Sequence, residues 1–101
     1  MDEKDTISDN LRHILMWFNA NDYEPWETKH LLESFKDQSR IENGQEELRN
    51  IIRNRLWSQR FYLGLTGFEF ETEDGFYAYL EEVWQYIFNN GPEPEIEKYW
   101  Y

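Results

Sequence analysis

Residues 73–90 read EDGFYAYLEEVWQYIFNN, and the spacing of their apolar side chains constrains the fold more than any other feature. Phe76, Tyr79, Leu80, Val83, Trp84, Ile87 and Phe88 recur at i, i+3, i+4, i+7, i+8, i+11 and i+12, the stripe of an amphipathic helix. Thr72 can cap its start, and Glu73 and Asp74 suit the positive end of a helix. Asn89, Asn90, Gly91 and Pro92 supply a stop. Each fully buried side chain of this kind stabilises by about 1.5–3 kcal/mol, so the helix is expected to be central to the core.

The remaining segments predict further helices. Thr6 followed by Asp9 has capping-box spacing, and Ile7, Leu11, Ile14, Leu15 and Phe18 then form one stripe that should end at 19–21. Pro25 suits a first helical turn, with Leu31, Leu32 and Phe35 as the inner face. Residues 39–44, SRIENG, read as a break. A third helix is predicted to start at Asn43, with Leu48, Ile51, Ile52, Leu56 and Trp57 inward. Over 61–72, Phe61, Leu63 and Leu65 alternate, as do Phe68 and Phe70, about Thr66-Gly67. That pattern predicts a short β-hairpin, with an extended loop plugged by aromatics as the competing reading. The expected fold is a small, mainly α, single-domain bundle of about four helices with a possible hairpin at 61–72; a real hairpin would shift the class to α+β. The tail over 91–101 carries Pro92 and Pro94 and ends in Tyr99, Trp100 and Tyr101. Its aromatics favour packing back on the domain over serving as a docking peptide.

The chain of 101 residues has the length of one domain, and its 19% aromatic content is far above that of a disordered acidic tail. It has no cysteine, which removes disulfides, thiol catalysis and thiolate zinc sites. The acidic N-terminus lacks the basic and apolar regions of a secretory signal, and no apolar run approaches a membrane span, so a cytoplasmic location is expected.

The net charge is −11, unevenly spread. Residues 1–39 hold nine acids against four bases, 40–60 hold three acids against five arginines, and 61–101 hold nine acids against Lys98 alone. This argues against direct contact with nucleic acid or anionic membranes and favours a basic protein partner.

Little points to catalysis. His13 and His30 lie on separate segments without metal-ligand spacing, and Ser8, Ser34, Ser39 and Ser58 lack a nucleophile-elbow context. Gly64 and Gly67 read as turn glycines, and no phosphate-binding loop is present. Glu69, Glu71 and Glu73 would share one face of a strand, which suits solvent better than a metal. Neither a metal nor another cofactor is expected, nor an enzyme.

What remains is interaction. Tyr77, Glu81, Glu82, Gln85 and Tyr86 are expected on the solvent face of the 73–88 helix, with Glu69, Glu71, Glu73 and Asp74 extending a negative patch. Tyrosines supply contact area there and carboxylates supply steering. Asp22, Glu24 and Glu27 beside Tyr23 and Trp26 repeat the mixture. The function expected is a small acidic inhibitor that occludes a basic surface of a toxin nuclease or nucleic-acid-binding effector. Bacterial immunity proteins and phage inhibitors are comparable in size and charge, although no motif here matches such a family. The alternative is a non-enzymatic structural or adaptor subunit that self-assembles or docks through the aromatic tail.

Overall fold

The computed structural model describes residues 4–100. The N-terminal three residues and Tyr101, part of the expected aromatic tail, lie outside the described residues. In chain order the elements are α1 (Asp9–Ile14), β1 (Phe18–Asn19), β2 (Asp22–Tyr23), α2 (Pro25–Ser34), α3 (Gln38–Asn54), α4 (Gln59–Thr66), α5 (Glu73–Phe88) and a 3₁₀ turn (Ile96–Lys98). The protein is mainly helical with one two-stranded antiparallel hairpin.

The hairpin is at the other end of the chain from where alternation placed it. Phe18 pairs with Tyr23 and Asn19 with Asp22 around a two-residue loop. Asn19 makes that turn: its side-chain oxygen accepts from the backbone N–H of Asn21 at 2.9 Å and of Asp22 at 3.0 Å. Residues 61–66 are instead helical. Ser58 caps α4 by accepting from the Phe61 N–H, and Gly67 closes it in the left-handed conformation at φ 85°. Tyr62 and Thr66, one turn apart, face the core, while Leu63 is exposed. Alternation is real only beyond the helix, where Phe68 and Phe70 point in and Glu69 and Glu71 point out. The strand partner there is the tail, through a bridge from Phe70 to Trp100.

Two helix starts also differ from expectation. Ser8, not Thr6, caps α1, and the Glu47 carboxylate holds Ser8 from α3. The helix is short, ending at Ile14 as the chain turns into the hairpin. Helix α3 begins at Gln38, capped by Asp37, and runs straight through 39–44. Gly44 looks like a breaker but serves packing. A Cβ on it would lie 2.5 Å from Ile14 Cδ1, so its absence lets α1 seat on α3.

Helix α5 starts after its Thr72 cap and buries Phe76, Tyr79, Leu80, Val83 and Ile87, with Trp84 and Phe88 half-buried. Tyr62 sits among Trp57, Phe70, Phe76 and Tyr79, with ring centroids 5.1–6.4 Å away. The tail lies over this aromatic core, with Pro94 and Ile96 buried.

Candidate partner-binding surface

The α5 strip is where structure and expectation part. Tyr77 is only 5% exposed and Tyr86 8%, so neither belongs to the solvent face. The Tyr77 hydroxyl donates to the Trp57 carbonyl and accepts from the Trp57 N–H, fixing the turn between α3 and α4. Tyr86 packs inward, with the Lys29 ammonium 4.3 Å from its ring centre. The solvent face of α5 is narrower and rotated: beyond its first turn Ala78 is the exposed position, and Glu81, Glu82 and Gln85 are its half-exposed polar ones.

Its carboxylates are engaged within the chain. Glu81 takes both guanidinium nitrogens of Arg49 at 2.8 Å and the Gln85 amide at 2.9 Å. The Arg49 bonds hold the Glu81 carboxyl at a pKa of about 2, well below the ordinary value of 4.5. Arg49 also lies over the Trp84 ring at 4.0 Å. Glu82 accepts from the Tyr99 hydroxyl and, at 3.1 Å, from the Glu95 N–H, with Lys98 3.7 Å away. It therefore ties the tail to α5. Glu73 and Asp74 share Arg55, at 3.8 and 2.9 Å. Among the nine residues expected to bind a partner, Glu69 and Glu71 alone are exposed carboxylates without a basic partner among the described residues.

A different acidic surface is left open. Asp22 on β2 and Glu24 at the cap of α2 flank Tyr23 in the chain, Asp22 exposed and Glu24 half-exposed, with Glu27 in the first turn of α2. Glu24 is shifted upward by partial desolvation and by the charges of Asp22 and Glu27, the signature of crowded carboxylates. From the other side the tail brings Glu93 and Glu97. Burial raises the Tyr23 hydroxyl, and the charges of Glu93, Glu97 and Glu82 push it further against a long 3.4 Å contact with Tyr79. Tyr23 thus follows Asp22 in the chain and feels the charges of Glu93 and Glu97 on the tail. Trp26, on α2, is 48% exposed; Trp100, its ring tilted against the Phe68 ring that packs on Tyr23, is 46% exposed. The sequence showed the 22–27 half of this surface. It gave no sign that Glu93, Glu97 and Trp100 would join it, because that depends on where the tail crosses the domain.

The histidines have structural surroundings. His13 Nδ1 accepts from Arg40 at 3.1 Å while Arg40 stacks on Phe35, and His30 lies 3.6 Å from Glu27. Among the described residues no three His, Asp or Glu side chains are grouped to hold a metal ion. Two open surface cavities measure about 200 Å³, beside Met16 and Leu65, and about 310 Å³, between α3 and Trp84. Among the described residues no helix is long and apolar enough to cross a membrane. Compared with protein-family models, with curated proteins and with solved structures, the chain matches none.

Proposed function

We propose that the protein is a small acidic binding protein that covers a basic surface of another protein, of the kind a nuclease or nucleic-acid-binding effector presents, and that it does so in the cytoplasm. Two observations carry the reading: Asp22, Glu24 and Glu27 crowd one another at the start of α2, the charges of Glu93 and Glu97 on the tail reach the Tyr23 hydroxyl, and Asp22, Glu24, Glu93 and Glu97 have no basic partner among the described residues. Like charges held together raise the free energy of the isolated protein, and a basic surface relieves that repulsion on docking. Trp26 and Trp100 supply the aromatic contact area that interfaces favour. Blockade is then steric and electrostatic, with no bond made or broken.

Immobilised protein should retain a basic protein from extracts of its source organism at low salt and release it as salt rises. The purified partner should then lose nucleic-acid binding or cleavage when this protein is added. A partner whose activity is untouched at saturation rules out occlusion. The adaptor reading draws on Met16 and Leu63, apolar side chains left 45% and 38% exposed. Size-exclusion chromatography separates the two, since self-assembly gives a mass that rises with concentration.

A further inference from the structure

We propose that residues 92–100 form a strap that opens and closes over the rest of the domain as a unit, with Glu82 as its latch. The hinge lies at the end of α5. Asn90 adopts the left-handed conformation at φ 54°, and the Gly91 N–H returns to the Gln85 carbonyl at 2.8 Å, so the helix is closed off before the strap begins. Pro92 and Pro94 then bar a continued helix. Inside the strap the backbone bonds are local and travel with it: the Lys98 N–H donates to the Glu95 carbonyl at 3.1 Å, and those of Tyr99 and Trp100 donate to the Ile96 carbonyl at 3.0 and 3.1 Å.

Few groups tie the strap down. Among the described residues three hydrogen bonds join it to the domain, and the Glu82 carboxylate accepts two of them, from the Glu95 N–H at 3.1 Å and from the Tyr99 hydroxyl. Lys98 stands 3.7 Å from the same carboxylate. The third bond runs from the Glu71 N–H to the Tyr99 carbonyl and is long, at 3.3 Å. Pro94 and Ile96 are the strap's buried side chains, and Trp100 leans on Phe68 while staying largely exposed. A segment so held opens at lower cost than α3 or α5, whose buried residues run over several turns. Opening uncovers Phe68 and Phe70 and carries Glu93, Glu97 and Trp100 away from Tyr23. The strap thereby sets how much of the acidic surface is formed, a consequence that rests on the basic-partner reading, whereas the strap itself does not.

The test is amide hydrogen exchange of the full chain, followed by nuclear magnetic resonance across low urea concentrations. The amides of Glu95, Lys98, Tyr99 and Trp100 should be protected, yet exchange at least about 100-fold faster than those of Leu48, Ile51, Leu80 and Val83, and with a weaker dependence on urea. Glu82→Gln should speed the strap amides by about 5–10-fold, because a neutral amide is a poorer acceptor than the carboxylate. Tyr99→Phe removes one of the two latch bonds from the strap's side and should speed them by about 2–5-fold. Glu81→Gln, which breaks the Arg49 pair on the same helix, should speed the core amides and leave the strap amides unchanged. Strap amides without protection, or with the rates and urea dependence of the core, would overturn the proposal. So would strap rates that neither Glu82→Gln nor Tyr99→Phe changes. The measurement uses the protein alone, so its failure leaves the basic-partner reading standing, and failure of the salt-dependent capture leaves the strap standing.

Discussion

Replacing Glu81 by Gln tests how the two longest helices are held together. The lowering of the Glu81 carboxyl from 4.5 to about 2 corresponds to a ceiling of about 3 kcal/mol at about 1.4 kcal/mol per unit. The Glu81 side chain is 41% exposed, so solvent screens much of that. Exposed pairs are worth about 0.2–1 kcal/mol, and a charge-assisted two-pronged bond about twice a neutral one, which puts the expected loss near 1–1.5 kcal/mol. The sign follows from the depressed folded value. The carboxylate form is favoured in the folded state, so the contribution is whole above the unfolded value of 4.5 and fades as pH falls toward about 2. Urea unfolding followed by tryptophan fluorescence should show Glu81→Gln less stable than the parent by about 1–1.5 kcal/mol at pH 7, and the two converging near pH 2. With Arg49→Gln and the double variant, the cycle should return a coupling of about 1 kcal/mol. A deficit that is the same at pH 7 and pH 2.5 would refute the reasoning, because it would mean that packing and not charge is lost.

Other expectations follow from single positions. Gly64→Ala should stabilise by about 0.5–1 kcal/mol, since a Cβ there meets nothing within 4 Å and glycine costs helix interiors that much. Gly44→Ala should destabilise by about 1–3 kcal/mol because its Cβ would strike Ile14; calorimetry on the pair gives opposite signs or the packing account of α1 on α3 is wrong. Tyr77→Phe leaves the Trp57 N–H and carbonyl without their buried partner, and should cost about 1–3 kcal/mol in denaturant titration. Burial raises the Tyr62 and Tyr79 hydroxyls above the ordinary 10, so the stability they confer is constant below that value and lost as pH rises beyond it. Phenolate absorbance for these two should emerge only together with alkaline unfolding.

Long periodic segments were legible and short ones were not. Helix α5 has sixteen residues, enough for its apolar stripe to settle type, cap and inner face. Even so, its buried arc is wider than that stripe, because tyrosines at 77 and 86 turn inward and bury their rings. Helix α4 has eight residues, too few to separate a period of 2 through Phe61, Leu63 and Leu65 from a helical face of Phe61, Tyr62, Leu65 and Thr66 that leaves Leu63 outside. Its serine cap and closing glycine were the usable clues. Gly44 misled in the opposite way, since a glycine that ends a pattern and one that admits a neighbouring helix look alike until the neighbour is placed. The acidic surface was half legible. Asp22, Glu24 and Glu27 are close in sequence, whereas the approach of Glu93 and Glu97 to Tyr23 is set by tertiary contacts: Glu82 anchors the tail, Phe70 pairs with Trp100, and Ile96 is buried.

The account turns on which carboxylates meet a partner. The direct measurement is affinity of the captured basic partner for the parent, for Asp22→Lys with Glu24→Lys, and for Glu69→Lys with Glu71→Lys as a control of equal charge change. The account predicts at least about tenfold weaker binding for the first pair, with a slower association rate, and a much smaller change for the second. Equal weakening in both would reduce the effect to net charge, and tight binding by the first pair would contradict the surface around Tyr23.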